Sequence, residues 1–466
     1  KNDGYVVEKI VCDNDASASW DNDSWGIMVT NLTKRTKCNV YFKKYSPADK
    51  VIAQLDTSGK CPTINSDGTV NVTKEEATDG YVCSASDAYG TSYYYRGNVT
   101  NNYVKFADKY WRIIRINGDG TVRVIYDGTS AHANGESSTD RQIGTSTFNN
   151  YWKKDNVQET TNSLVYYDNA GVGYMYGNRD AIVEATEYYS TISFINTYNY
   201  FIAKEYTYDA TTDRFTLKDP IHVPAWTMTS DYVGYYTFGS TSDNTSNSYV
   251  YKILGVTAGD SSISVKYGYV RYGTSSKEVV QTNTNDSTIK TYLDNWYKTN
   301  ISGTENEQYL ADNIFCNDRS FASNNSGTGT GAGVSKTYYN WYNWHASKSN
   351  LKCPQKNDAF TVSDTTNGNG DLTYPIGLIT TDETVLAGGW DADNKGYYLY
   401  SGSWYWSSSP YSFNGGYAVV EFVGPSGNAH NNRYNVNFFG GVRPVLNLSS
   451  EVLQNGDGSM DNPYHP

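Results

Sequence analysis

Apolar and polar residues alternate with a period of two along the first 45 residues of the chain. The phrases YVVEKIVC, ASASW, WGIMVTNL and KCNVYF show this alternation and are separated by polar turn segments such as DNDS and TKRT. Alternation of this kind places successive side chains on opposite faces of a strand. Residues 1–45 are therefore predicted to form a small β module, in which Cys12 and Cys38 would join the first strand to the last.

The same alternation recurs through most of the remaining chain. In the phrase YVKFADKYWRIIRINGDGTVRVIYDG, the residues NGDG separate two alternating runs, which predicts a β-hairpin with glycines at the turn. Between about 155 and 280, strand-like phrases are separated by turn residues about every eight to twelve positions, a spacing typical of all-β structure. This stretch is predicted to be a β-rich insertion.

Three segments break the alternation and favour helices instead. They are SPADKVIAQLDTSG (46–59), STFNNYWKKDN (146–156) and NDSTIKTYLDNWYKTNI (285–301). The third is the most amphipathic, because Ile289, Leu293 and Trp296 share one helical face, and Asn285, Asp286 or Ser287 can cap its start.

These patterns predict a mainly β protein with a few helices, of the α+β class. We divide the chain into a small module at 1–45 (immunoglobulin-like or similar), a disulfide-closed connector at 46–85, a large domain at 86–450 and a C-terminal tail at 451–466.

The six cysteines indicate disulfides rather than a metal site. None forms a C-x-x-C motif and none has a histidine at zinc-like spacing. An even number at wide spacing suits an oxidising compartment, although buried free thiols are the alternative. Of the fifteen possible connectivities, we favour the three local pairs Cys12–Cys38, Cys61–Cys83 and Cys316–Cys353.

Composition and charge narrow the class of partner. The chain has 37 basic and 49 acidic residues, a net charge of −12, which disfavours nucleic acid and anionic membranes as partners. It contains 45 tyrosines, and buried hydroxyls need hydrogen-bond partners, so many of these rings are expected to lie half-exposed. The sequence contains no run of about 18 apolar residues, so it predicts no membrane-spanning helix. We expect an exported protein, secreted or at the cell surface, from which any signal segment has been removed.

Familiar catalytic and cofactor motifs are missing from the sequence. The five histidines show no H-E-x-x-H spacing, no G-x-S-x-G elbow occurs, and the glycine-rich stretch at 324–336 matches neither phosphate-binding pattern. We therefore predict no catalytic residues, no metal and no cofactor. The CDND and WDND turns could chelate a structural calcium ion, but aspartates are commoner in turns than as ligands.

The segment between 403 and 439 differs from its flanks. It mixes Tyr, Asn, Ser, Phe, His and Arg, whereas GVRPVLNL (441–448) alternates like a strand, with Val442, Pro444, Leu446 and Leu448 on one face. We expect those residues, with Trp406 and Pro410, to be framework. Tyrosine and tryptophan give rigid contact area and Ser, Gly and Asn adapt their hydrogen bonds, a mixture typical of binding surfaces.

Four phrases carry a resemblance to a known family: YWRIIRINGDGTVRVIYDG, STIKTYLDNWY, GLITTDETVLAGG, and YWSSSPYSF with GVRPVLNL. Together they resemble exported surface proteins of gut Firmicutes and their relatives. The C-terminal half of such proteins is similar to the C-type-lectin-like fold of formylglycine-generating enzymes and of variable proteins diversified by retroelements. The likeness covers roughly residues 86–450, and its most specific motifs are W-S-x-S-P (406–410) and the 441–448 phrase.

The resemblance implies a ligand-facing patch on the last strands and loops, which diversification could vary. The sequence of this chain departs from the family pattern in two ways. No cysteine follows Cys353, which disfavours formylglycine-generating activity, and the calcium-lectin signatures E-P-N and Q-P-D are missing.

We therefore expect a secreted or surface-displayed, adhesin-like protein that binds a protein or glycan on another surface. One alternative is a subunit of an extracellular filament or sheath that self-assembles through the 1–45 module by strand addition. A third is a carbohydrate-active enzyme, because carboxylate pairs cannot be recognised from sequence alone. The candidate ligand-binding residues are Trp404, Tyr405, Tyr411, Phe413, Asn414, Tyr417, Glu421, Asn428, His430, Asn431, Arg433, Tyr434, Asn437 and Phe438. Of these, Tyr411, Phe413, Tyr417, His430, Arg433, Tyr434 and Phe438 should be exposed in one patch.

Overall fold

Strands dominate the computed structural model of the chain, which confirms the mainly β prediction. The structure describes residues 4–21, 24–55, 57, 59–72, 79–150, 169–177, 183–195, 202–209, 214–218, 223–224, 234–239, 251–258, 262–271, 281–321, 336–338, 348–390, 393–414, 418–429 and 432–466.

The strands in the first part of the chain, up to the insertion, are β1 (Tyr5–Cys12), β2 (Ser17–Asp21), β3 (Gly26–Thr30), β4 (Cys38–Lys44), β5 (Thr63–Ile64), β6 (Val70–Asn71), β7 (Tyr81–Ser86), β8 (Thr91–Arg96), β9 (Tyr103–Phe106), β10 (Lys109–Ile116), β11 (Val122–Gly128), β12 (Thr145–Thr147) and β13 (Met175–Tyr176). Those of the insertion are β14 (Val183–Ile195), β15 (Ile202–Asp209), β16 (Arg214–Leu217), β17 (Val223–Pro224), β18 (Tyr235–Gly239), β19 (Tyr251–Ala258) and β20 (Ser262–Arg271).

The strands after the insertion are β21 (Asn285–Asp286), β22 (Phe315–Cys316), β23 (Lys336–Tyr338), β24 (Lys348–Ser349), β25 (Ala359–Phe360), β26 (Ile376–Gly377), β27 (Tyr405–Asn414), β28 (Ala418–Val423), β29 (Arg433–Asn435), β30 (Phe439–Gly441) and β31 (Val445–Leu448). The described α-helices are α1 (Pro47–Gln54), α2 (Thr288–Asn300) and α3 (Thr381–Leu386). Among the described residues, no helix is both long and apolar enough to cross a bilayer.

The N-terminal module consists of two strand pairs. Strand β1 pairs with β4, and Cys12 lies opposite Cys38, to which it is disulfide-bonded. Strand β2 pairs with β3. The other two local disulfides, Cys61–Cys83 and Cys316–Cys353, are also present, so all three predicted pairs are confirmed.

The main apolar core lies against a sheet of order β26-β31-β11-β10-β8-β7, with β9 also paired to β10. The predicted hairpin is its centre: β10 and β11 pair from Ile116 opposite Val122, and Gly120 adopts a positive φ of 84° in the turn. Such a φ favours glycine because a side chain would clash there.

Two of the predicted helices are confirmed. Helix α1 begins after Ser46, which forms a capping box with Asp49 in the first turn. Helix α2 begins after Ser287, whose hydroxyl accepts a hydrogen bond from the Lys290 amide, and it buries the predicted Ile289 and Leu293. The helix predicted at 146–156 is wrong at its start, because Ser146 and Thr147 lie in β12 and pair with β30. The remainder of that segment falls mostly outside the described residues.

The insertion forms a separate sheet of order β14-β20-β19-β18-β15-β16, with β17 paired to β15. This agrees with the period-two pattern of its sequence. The domain limits themselves stay a prediction, although strand β7 (81–86) crosses the proposed limit between connector and large domain. In the proposed tail, Tyr464 bridges to Val104 of β9 and is buried.

The C-terminal phrase links two sheets. Strand β30 belongs to a second large sheet, β12-β30-β27-β28-β29, whereas β31 pairs with β11 and β26 of the central sheet. The predicted framework residues are all buried, namely Trp406, Pro410, Val442, Pro444, Leu446 and Leu448. The opposite face is buried as well, through Arg443, Val445 and Asn447.

A cluster of buried ions fastens this phrase to the hairpin. Asp127 of β11 is bonded by Arg443 at 3.0 Å and Arg141 at 2.8 Å, and Arg112 lies 3.9 Å away. The four side chains are fully buried. Burial lowers the pKa of Arg112 to about 10, and the charge of Asp127 opposes that shift.

Backbone carbonyls take up the remaining guanidinium donors. Arg443 donates to the carbonyls of Tyr126 and Leu399, and Arg141 donates to that of Tyr398. One carboxylate therefore connects β10, β11, the 398–399 segment and the approach to β31.

Replacement of the framework residue Leu446 by alanine should lower the free energy of unfolding. Leu446 is fully buried, and a cavity at such a site costs ~2–5 kcal/mol. Chemical denaturation of Leu446→Ala beside Leu32→Ala, which removes an exposed leucine, measures the difference. Equal stability of the two variants would contradict the burial of this face.

Replacement of Asp127 by asparagine keeps the shape of the side chain and removes the charge that three buried arginines share. Loss of one partner from a buried ion cluster typically costs ~3–5 kcal/mol. We expect a loss of this size for Asp127→Asn in denaturant unfolding, and almost none for the exposed Asp457→Asn. If both variants unfold at the wild-type midpoint, the cluster does not support the fold.

Candidate recognition surface

Aromatic rings form a continuous cluster at one end of the second sheet. The ring of Trp404 lies 5.0 Å from that of Phe422 and stacks on Tyr434 at 5.7 Å, with 23° between their planes. Tyr434 contacts Phe438 at 4.3 Å between ring centroids. Phe439 follows at the start of β30 and is the most exposed of the set.

We call the contacting rings of Trp404, Phe422, Tyr434 and Phe438, together with the exposed Phe439 that follows them in sequence, the aromatic face. Tyr434 is 41 % exposed, Phe438 42 % and Phe439 68 %, whereas Trp404 and Phe422 are half-buried and pack against the core. Contiguous exposed aromatic groups of this kind mark interaction sites on soluble proteins.

Strand register explains why these rings meet. Val420 pairs with Tyr434 across β28 and β29, and Phe422 lies two residues along β28, so Phe422 and Tyr434 project from the same side. The turn after β29 then brings the ring of Phe438 against that of Tyr434, and the Phe438 amide donates to the Asn435 carbonyl at 3.0 Å. Gly440 leaves room for the ring of Trp404, because a Cβ at this position would overlap it.

The aromatic face is anchored in the core. Trp404 contacts the fully buried Trp406 at 5.2 Å, and Trp406 contacts Phe148 at 5.8 Å. The indole of Trp406 donates to the Ser146 carbonyl of β12 at 2.9 Å. The exposed rings are therefore supported by rings that the fold holds in fixed positions.

The opposite side of β28 and β29 carries charged groups. Glu421 pairs in register with Arg433, and the exposed Arg433 guanidinium lies 4.5 Å from the centre of the Tyr411 ring. Glu421 is buried, and burial raises its pKa well above the usual range. Arg433 thus lies beside the aromatic face but projects from the other side of the strand.

Three candidate residues do not face solvent, which corrects the sequence prediction. Tyr405 is fully buried, and its hydroxyl donates to the Leu399 carbonyl while Arg443 lies over its ring. Tyr411 is also buried, as is every residue from 405 to 412, so both faces of this part of β27 are covered. Glu421 is buried among polar groups near α3, so it is not part of an open contact surface.

The remaining candidates fall into two groups. Asn428 lies in a turn, where its carbonyl accepts from Gly424 and Asn432, and Asn437 is half-buried beside Phe438. Phe413 and Asn414 are described only as backbone in β27, paired with Thr337 and Lys336. Tyr417, His430 and Asn431 lie outside the described residues, so their predicted exposure stays a prediction.

Sequence reasoning missed Phe422 and Phe439. Phe422 belongs to the apolar phrase AVVEFV, which reads as a buried strand, and only the cross-strand pairing reveals its neighbours. The doublet Phe438–Phe439 offered one signal, since two adjacent rings at a strand start cannot both enter the same core.

The aromatic face suits contact rather than catalysis. Its polar groups are one phenolic hydroxyl and one indole N–H. Within the described part of the chain, no three His, Cys, Asp or Glu side chains are grouped to hold a metal ion. In the CDND turn, Asp13 accepts from the Lys37 amide at 2.7 Å, and Asn22 and Asp23 of the other turn lie outside the described residues.

Comparisons with known proteins leave the chain without a relative to name. No family model matches it, and neither the curated proteins nor the solved structures return a match. The functional argument therefore depends on the residues and geometry described above.

Proposed function

We propose that this protein is a secreted or cell-surface binding protein with an adhesin-like role, and that the aromatic face is its recognition surface. The carrying observation is the contact between the exposed rings of Tyr434 and Phe438, which Trp404 and the buried Trp406 support. Tyrosine, tryptophan and arginine are the residue types that dominate binding energy in protein interfaces.

An extracellular location fits the cysteines. Three disulfides join segments 22 to 37 residues apart, and such bonds persist in oxidising compartments.

Among possible ligands, the surface favours a protein over a glycan. Phe438 and Phe439 present rings without polar atoms, and the centre of a protein interface is likewise apolar and aromatic. The half-buried Asn437 precedes Phe438 and supplies a polar group at the rim. Sugar hydroxyls would leave most of their hydrogen bonds unmade on such a patch.

The finer family assignment is also part of the proposal. Its support is the likeness of the W-S-x-S-P and G-V-R-P-V-L-N-L phrases to those of C-type-lectin-like surface proteins, whose terminal strands display variable residues. If retroelement diversification acts here, adenine-limited codon changes in sibling strains should cluster at solvent-accessible positions such as Tyr434, Phe438 and the half-buried Asn437. Buried positions such as Val420 and Val436 should stay constant. Even substitution across both sets would contradict diversification.

Removal of the exposed rings should abolish binding without unfolding the protein. We expect the triple variant Tyr434→Ser, Phe438→Ser, Phe439→Ser to keep its melting temperature within about 4 °C, since surface changes alter stability little. On arrays that carry extracellular proteins and glycans separately, wild-type protein should bind specific protein spots and the variant should lose at least tenfold in affinity.

The double variant Ile64→Ser, Met460→Ser serves as the matched control, because it removes exposed apolar groups elsewhere. It should bind as the wild type does. Protein binding that persists in the triple variant would refute the aromatic face as recognition surface, and binding confined to glycan spots would refute the protein partner.

A second candidate function, self-assembly, is favoured by one observation on the N-terminal module. None of the described residues before position 46 is buried, and Met28, Leu32, Tyr41 and Phe42 are exposed. A unit without a core of its own gains stability by covering this surface. Residues 1–45 hold seven basic and six acidic side chains, whereas the rest of the chain holds more acidic than basic side chains. The weakly basic module of one copy therefore complements the negative charge of a second copy.

Light scattering over a range of protein concentrations tests this candidate. Self-association should increase with concentration and weaken at high salt, and Met28→Glu with Leu32→Glu should suppress it. Met460→Glu, an equally drastic change at a distant exposed position, should not. A monomeric mass for the wild type at every concentration would exclude assembly through the module.

A further inference from the structure

A polar cavity of about 150 Å³ lies between α3, β27 and the segments that the Cys316–Cys353 disulfide joins. Its lining includes the carboxyl groups of Asp318, Asp382 and Glu383, the hydroxyl of Ser409 and the guanidinium groups of Arg115 and Arg123. It is distinct from the aromatic face, none of whose five residues line it. The volume is enough for several water molecules or one small organic ligand.

The basic groups at the back of the cavity are already neutralised. Arg115 bonds Asp87 at 2.9 Å and Glu383 at 3.2 Å, and Arg123 bonds the other oxygen of Glu383 at 3.2 Å. At the rim, Lys348 bonds Asp67 at 2.8 Å, and Lys352 extends into solvent, where its charge is screened.

Asp318 and Asp382 differ from these groups, because among the described residues neither has a cation within 4 Å. Asp382 accepts the Asn350 amide at 3.0 Å, and Asp318 accepts the Ser320 amide through one oxygen. The second oxygen of Asp318 has no hydrogen-bond partner in the described part of the chain, although the side chain is more than nine-tenths buried. A buried carboxylate oxygen left in this state is costly, and a bound donor would relieve the cost.

We propose that this cavity is a binding site for a small organic cation that presents a primary ammonium group to Asp318 and Asp382. An ammonium has three N–H donors, which match the two carboxyl groups and the hydroxyl oxygen of Ser409. Hydrogen bonds between such a cation and carboxylates are about twice as strong as neutral ones. A metal ion fits less well, because the described residues provide no third His, Cys, Asp or Glu ligand here.

The two carboxyl groups also make binding sensitive to protons. Burial raises the pKa of Asp382 to about 7 and that of Asp318 to about 6, and the charge of Asp318 adds to the shift of Asp382. The charged or titratable groups that face them are Arg115, Arg123, Lys348, Lys352, Asp67, Glu383, Arg319, Asp358 and Glu421. A cation favours the ionised carboxylates, so binding near pH 6.5 should release protons.

Saturation-transfer NMR on the full chain tests the proposal with n-propylammonium as probe and 1-propanol as its neutral analogue. We expect transfer to propylammonium and at least tenfold less to propanol. The double variant Asp318→Asn, Asp382→Asn should weaken propylammonium binding at least tenfold, whereas the exposed Asp457→Asn should leave it unchanged.

Three results would overturn the site: equal transfer to both probes, unchanged binding in the double variant, or displacement of propylammonium by equimolar calcium chloride. If the double variant fails to fold, the proton release that accompanies propylammonium binding to the wild-type protein tests the site instead. Propylammonium added to weakly buffered protein at pH 6.5 should release protons in proportion to binding, and no release would refute the assignment.

Discussion

The fold depends on one buried carboxylate that three arginines share. Asp127 lies at the end of the central hairpin, and the guanidinium groups around it come from β10, from the loop before β12 and from the segment between β30 and β31. Such a cluster is expensive to desolvate, so it is stable only when every donor finds a partner. The carbonyls of Tyr126, Tyr398 and Leu399 complete it and thereby fix three separate stretches of backbone.

This constraint has a consequence for the surface above it. Because Arg443 ties the chain to the hairpin just after β30, the strand that carries Phe439 and receives Trp404 cannot shift independently of the core. Trp406 and Phe148 then support the exposed rings from beneath. Rigid aromatic side chains lose little conformational entropy on binding, so a supported cluster of this kind is suited to recognition.

The sequence predicted those parts of the fold that follow from local patterns. Period-two alternation identified the module strands and the hairpin, helical spacing identified Ile289 and Leu293, and cysteine spacing suggested the three disulfides that the structure shows. The ion clusters were not predictable, because alternation does not say which strand face the partners of Arg112 and Arg123 occupy. Arg443 lies between β30 and β31, and its partner Asp127 is distant in sequence. Tyr411 was misplaced for a similar reason, since both faces of β27 from 405 to 412 are covered by segments that are distant in sequence. Within the candidate surface, Tyr434 and Phe438 were correctly predicted to be exposed, whereas Phe422 and Phe439 required the register of β28, β29 and β30.

The central claim is that the rings of the aromatic face bind a partner while the residues beneath them hold the fold. A saturation mutagenesis scan of residues 403–448, read out separately for folded display and for attachment to the recognised surface, tests this most directly. The account predicts that substitutions at Tyr434, Phe438 and Phe439 reduce attachment while display is retained, and that substitutions at Trp406, Arg443 and Leu446 reduce both. If attachment falls only where display also falls, the aromatic face has no recognition role of its own and the account is contradicted.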